Sequence, residues 1–65
     1  MKNRVRDLRL ERNWTQRELA ERLGTSRQAI IAIENERFDP SLPLALRLAR
    51  LFKKRVEDVF LDEQR

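Results

Sequence analysis

Apolar residues recur along this chain at intervals of three and four, and no stretch alternates residue by residue as a strand does. Val5 and Leu8 share one face of a first segment whose other positions, Arg4, Arg6, Asp7 and Glu11, are charged. That pattern predicts a helix over 4–12, with Asn13 as its stop. Thr15-Gln16-Arg17-Glu18 then has the form of a capping box, in which the hydroxyl accepts from the N3 amide and the carboxylate accepts from the cap amide. A second helix is expected over 16–23, with Leu19, Ala20 and Leu23 inward and Gly24 supplying a left-handed end. Ser26 can cap a third helix over 27–35 that turns Ile30 and Ile33 inward.

Asp39-Pro40-Ser41 must be extended or turning, because the residue before a proline avoids helical angles. Ser41 or Leu42 opens a fourth helix over 42–52, where Pro43 is tolerated in the first turn because its missing amide would lack a helical partner. Leu44, Ala45, Leu48, Ala49 and Phe52 recur there at helical spacing and should close the core. A brief fifth helix over 56–60 offers Val56, Val59 and Phe60 to the same core, and the residues from Leu61 onward are a charged end.

At 65 residues this reads as one domain, 1–65, with little room for a core plus an enclosed catalytic pocket, so function is expected on the surface. There is no Cys or His, which removes disulfides and the usual zinc ligands. No apolar run is long enough for a signal peptide or a membrane span, which predicts a cytoplasmic protein. The net charge of +4 is unevenly placed: residues 1–55 hold fourteen bases against seven acids, while residues 56–65 hold one against four. A basic body on so small a domain suits a polyanion, since each neutralised phosphate releases counterions, although a highly charged solvated surface would look the same. Twelve of the fifteen bases are Arg, which favours two-point contacts to phosphate or guanine.

From Gln16 to Asn35, two short helices flank a three- or four-residue turn holding the only glycine of the chain. Ala20 is small where the helices cross, and Leu19, Leu23, Ile30 and Ile33 form the wedge that fixes their angle. The third helix then protrudes with its N-terminal end free to enter a major groove. At this point the sequence resembles the Cro/CI-type, or XRE-type, helix-turn-helix regulators, especially their small stand-alone members. The resemblance is carried by Arg9, by Thr15-Gln16-Arg17-Glu18-Leu19-Ala20, by Leu23-Gly24-Thr25-Ser26-Arg27-Gln28, by Ile33-Glu34-Asn35, by Asp39-Pro40-Ser41-Leu42 and by Val56-Glu57-Asp58-Val59-Phe60.

That resemblance implies an all-α, five-helix lambda-repressor-like fold, sequence-specific binding of double-stranded DNA as a homodimer, and usually repression of a nearby promoter. Resemblance to small members that pair their termini further implies a short extended contact between Met1–Asn3 and Phe60–Asp62. Three positions depart from the pattern, the mildest being Thr25, which stands at a turn position that is often Val and is small enough to pack its methyl inward. Glu36 stands where many members have Gly, so either Asn35 takes the left-handed conformation there or the turn is strained, and Lys53 replaces a common helix-ending Gly.

Arg27 and Gln28 occupy the positions at which the resembling proteins most often touch base edges; Arg can donate two bonds to guanine and Gln can pair with adenine. With Ile30 and Ile33 inward, helical geometry should turn Ile31 or Ala32 outward, either toward a thymine methyl in the groove or against a neighbouring helix. Gln16 begins the second helix, whose amide end favours a phosphate. Ser26, Asn35, Arg37 and Phe38 are assigned to the DNA backbone, the last three because they resemble backbone-contacting positions. Arg9 and Glu34 resemble a structural ion pair, and Trp14 reads as core edge.

A symmetric homodimer would form through Asp39-Pro40 with Val56 and Phe60, helped by Leu46, Leu51 or Leu61, and would set two reading helices about 34 Å apart on a palindromic operator. An enzyme is not expected, since His, Cys and Tyr are all missing, and no metal, cofactor, small-molecule ligand or membrane partner is expected either. The competing reading is a protein-interaction module, such as an antitoxin-like partner built on the same fold. RNA binding is disfavoured by the scarcity of stacking aromatics.

Overall fold

Three helices begin on a hydroxyl where the sequence places one. Thr15 Oγ1 accepts from the Glu18 amide at 3.0 Å while the Glu18 carboxylate accepts from the Thr15 amide at 2.7 Å, closing the capping box. Ser26 accepts from the Ala29 amide at 3.1 Å, and Ser41 from the Leu44 amide at 3.4 Å. In the computed structural model, which describes residues 1–61, the order is β1 (Lys2–Asn3), α1 (Val5–Glu11), α2 (Gln16–Leu23), α3 (Arg27–Glu34), α4 (Leu42–Phe52), α5 (Val56–Val59) and β2 (Phe60–Leu61). The all-helical expectation holds, with helix ends shifted by one residue at α1, α3 and α5.

The helix ends share one device. Each of α1 to α4 is closed by a backbone bond spanning five residues: Trp14 N–H to Arg9 C=O at 3.2 Å, Thr25 to Ala20 at 3.0 Å, Arg37 to Ala32 at 3.0 Å and Lys54 to Ala49 at 2.9 Å. The residue before each donor is left-handed: Asn13 at φ 58°, Gly24 at 70°, Glu36 at 62° and Lys53 at 56°. This is the Schellman closure, which satisfies carbonyls the helix itself leaves open. Of the two alternatives for the end of α3, the strained turn is the one present: Asn35 lies at φ −85° and Glu36 itself takes the left-handed conformation. Asn35 cannot serve because the five-residue bond from Arg37 fixes the left-handed position one residue later.

β1 and β2 pair antiparallel with Lys2 opposite Leu61 and Asn3 opposite Phe60, as the termini were expected to do; Asp62, included in that expectation, lies outside the described residues. Asn3 extends the tie by donating to the Ile33 carbonyl at 2.9 Å and accepting from the Val5 amide at 3.1 Å. Phe60, placed in the fifth helix by its sequence, is the first residue of β2 instead.

Val5, Leu8, Leu19, Ile30, Ile33, Leu48, Phe52 and Val59 are essentially out of solvent. Each contributes roughly 1.5–3 kcal/mol of burial free energy against the entropy of ordering the chain. Trp14 packs on the edge of this core, its ring stacked on Phe52 at 6.1 Å and covered by the Arg22 guanidinium at 4.3 Å. The wedge of Leu19, Ala20, Leu23, Ile30 and Ile33 is wholly buried, and it sets α3 against α2.

Candidate nucleic-acid interface

Burying Ile30 and Ile33 determines what α3 presents to solvent. Ser26, Arg27 and Gln28 are exposed at its first turn, while Ala29 is half-buried. Ile31 and Ala32 are both half-buried. Both are therefore less exposed than Arg27 and Gln28, although with Ile30 and Ile33 inward they lie off the buried face of the helix.

Beside that turn lies a groove lined by Arg6, Arg9, Thr15, Gln16, Arg17 and Arg27, drawn from α1, α2 and α3. Four guanidiniums and no carboxylate line it. Beneath it, the Glu34 side chain is wholly buried at the last position of α3. Arg9 Nε donates to Glu34 Oε2 at 2.7 Å and Arg9 Nη2 to Oε1 at 3.1 Å, a two-point pair, and Arg9 Nη1 also holds the Trp14 carbonyl at 2.8 Å. Gln16 Nε2 donates to Oε1 at 3.1 Å, and Arg6 Nε reaches the same oxygen at 3.4 Å. Burial pushes the Glu34 carboxyl up, but the bonds from Arg9 and Gln16, the Arg9 charge and the bond from Arg6 outweigh it and hold the group below its ordinary value.

The expected Arg9–Glu34 pair is therefore present, and it is the centre of a wider network than a single ion pair. Gln16, expected at a phosphate, has one amide hydrogen committed to Glu34 and keeps its second. Arg6 and Arg17 are not marked by the sequence. Arg6 sits three residues before Arg9 on the same helical face, a spacing that could have marked it once Arg9 was paired with α3. For Arg17 no sequence signal exists, because only the docking of α1 across the α2–α3 corner turns its surroundings into a groove.

Asn35, Arg37 and Phe38 are exposed on the segment after α3, and Asn35 Oδ1 accepts from Arg6 Nη2 at 3.0 Å. On another face, Asp39, Pro40, Val56 and Phe60 come together with Met1, Leu42, Ala45 and Glu57 around an apolar groove. Phe60 is only 8% exposed, so it forms the floor of that groove and serves the core first. Of the leucines considered with this face, Leu46 is exposed on α4, whereas Leu51 and Leu61 are half-buried. Among the described residues no cluster of acidic side chains could hold a metal ion, and no helix is long and apolar enough to cross a membrane.

Comparison with known proteins places relatives along nearly the whole chain. The profile of the helix-turn-helix family matches residues 5–59. An HTH-type transcriptional regulator from Methanothermobacter thermautotrophicus is 52% identical over 65 residues, covering 97% of this chain and 94% of its own length. One from Methanocaldococcus jannaschii is 49% identical over 63 residues, covering 97% and 96%, and one from Bacillus subtilis is 42% identical over 64 residues, covering 98% and 97%. Among solved structures, a hypothetical transcription factor from Neisseria superposes with a TM-score of 0.79 at 27% identity, covering 92% of this chain and 67% of that one.

Proposed function

The chain belongs to the helix-turn-helix family of DNA-binding transcriptional regulators, a family of binding proteins and not of enzymes, and from that premise we propose that it represses transcription by binding a palindromic operator as a symmetric homodimer. The observation that carries the reading is the juxtaposition of an exposed first turn of α3, bearing Arg27 and Gln28, with a groove of four arginines beside it. A major groove admits such a helix, and phosphates flank it on both sides.

In this reading Arg27 and Gln28 address base edges, and Ile31 and Ala32 meet the groove wall or a thymine methyl farther along α3. Gln16 donates its second amide hydrogen to a phosphate on one side. Ser26, Asn35, Arg37 and Phe38 hold the backbone on the other. The partner is a second copy of the chain, seated on the apolar groove of Asp39, Pro40, Val56 and Phe60, and the protein works in the cytoplasm where DNA is accessible.

Selection of preferred duplexes from a random pool tests the reading, and the winner is expected to be palindromic. Replacing Arg27 or Gln28 by Ala should cost about 1–3 kcal/mol per half-site and relax preference at particular base pairs, whereas Arg37→Ala should weaken every sequence alike and flatten the salt dependence. Full affinity and unchanged base preference in folded Arg27→Ala and Gln28→Ala proteins would remove α3 as the reader and favour the protein-interaction alternative.

A further inference from the structure

Glu34 Oε1 receives three donors: Arg9 Nη2 at 3.1 Å, Gln16 Nε2 at 3.1 Å and Arg6 Nε at 3.4 Å. A carboxylate oxygen offers about two lone-pair directions, so the third and longest of these bonds is the surplus one. Arg9 and Gln16 satisfy Oε1 without it, and Arg9 alone neutralises the buried charge. Of the two guanidiniums on Glu34, Arg9 is committed, 11% exposed and also bonded to the Trp14 carbonyl. Arg6 is 53% exposed, on the rim of the groove that also holds Gln16, Arg17 and Arg27. Its other bond, from Nη2 to Asn35 Oδ1 at 3.0 Å, is to an exposed neutral amide that water can replace.

Arg6 is therefore the one guanidinium of this network that can leave without stranding a buried charge. We propose that Arg6 is a DNA-backbone residue, parked at the rim of the groove by Glu34 and Asn35 and taken over by a phosphate when a duplex seats α3. The cluster of Arg6, Arg9 and Glu34 carries one positive charge in excess, and it is this charge that the phosphate meets. A planar guanidinium facing a phosphate makes two parallel bonds, each stronger than the long bond to Glu34 that it gives up. The inference rests on the DNA-binding reading and adds a phosphate-binding residue from α1, outside the helix-turn-helix itself.

The test uses the full chain and a duplex it selects from a random pool, titrated at several salt concentrations by fluorescence anisotropy. The same duplex is then titrated with one backbone phosphate at a time replaced by a neutral methylphosphonate. Arg6→Gln is expected to fold as the parent does and to reduce the slope of log affinity against log salt by about 0.9 for each phosphate that the variant leaves unneutralised. At one phosphate per half-site, the methylphosphonate should weaken the parent and leave Arg6→Gln unaffected. Arg6→Lys, which keeps the charge but cannot bridge Glu34 and Asn35 in the same way, should retain the parental slope. An unchanged slope in Arg6→Gln, a slope reduced equally in Arg6→Lys, or an Arg6→Gln chain that no longer folds would assign Arg6 to the scaffold and overturn the inference alone. Failure of the parent to bind any duplex would overturn the proposed function as well.

Discussion

Glu34 is a buried acid in a basic protein, and its surroundings make its protonation a stability question. Replacing it by Ala would leave the Arg9 guanidinium buried with only the Trp14 carbonyl for company, at a cost of roughly 3–5 kcal/mol. Its folded-state pKa is lowered, so the stability it supplies is fully present above the unfolded-state value of about 4.3 and is lost as pH falls through the lower folded value. Denaturant unfolding followed downward from neutral pH should thus show no dependence on this group until about pH 5 and a decline below it. Glu34→Gln should remove its share of that acid decline. Glu18, lowered chiefly by the Thr15 amide, pulls in the same direction, so the informative quantity is the difference between parent and Glu34→Gln across the titration. An acid limb identical in the two proteins would mean that Glu34 is not held ionised by its donors.

Among the helices, four ends use one closure and only one of them uses glycine. At Gly24 a Cβ would meet nothing within 4 Å, so the cost of a side chain there comes from φ alone. The same cost is already borne by Glu36 and Lys53, whereas Asn13 is of a type that tolerates the left-handed region. A left-handed residue with a Cβ costs about 1–2 kcal/mol, and glycine returns roughly 0.5–1 of that through the freedom it has in the unfolded chain. Glu36→Gly and Lys53→Gly should each therefore stabilise the fold by about 0.5–1 kcal/mol. Urea melts read this as a raised midpoint at unchanged slope. A lowered midpoint in either variant would show that its side chain makes interactions worth more than the backbone strain.

For the molecule as a whole, two surfaces are set apart by the packing. The cationic groove gathers α1, α2 and α3, and the apolar groove gathers the loop after α3, the start of α4 and α5. Val56 is half-buried at the apolar groove and also packs against the core, so in the proposed dimer a charge there would disrupt association at some cost to folding. Under the proposed dimer, Val56→Asp is expected to sediment as a monomer where the parent sediments as a dimer, with circular dichroism checking that the variant remains folded. Its affinity for a palindromic duplex should fall toward that for a single half-site, because two linked half-sites bind at a high effective concentration. A parent that is monomeric both free and on DNA would refute the dimer, and a dimeric Val56→Asp would move the interface elsewhere.

The local code of this chain is legible because it is written in nearest neighbours. The hydroxyl caps at Thr15, Ser26 and Ser41, the three-and-four spacing of Leu19, Leu23, Ile30 and Ile33, and the glycine at the turn each act within a few residues, so helix positions, the buried wedge and the exposed turn at Arg27 and Gln28 follow from the sequence. The Arg9–Glu34 pair is reached through resemblance, since twenty-five residues separate its members. Tertiary structure alone decided the rest. The five-residue closure of α3 put the left-handed turn on Glu36 and not on Asn35, because the Arg37 amide selects which carbonyl to bond. The docking of α1 over the α2–α3 corner brought Arg6 and Gln16 onto one carboxylate oxygen and made a groove with Arg17 and Arg27, a convergence of three helices that no periodicity along one of them encodes.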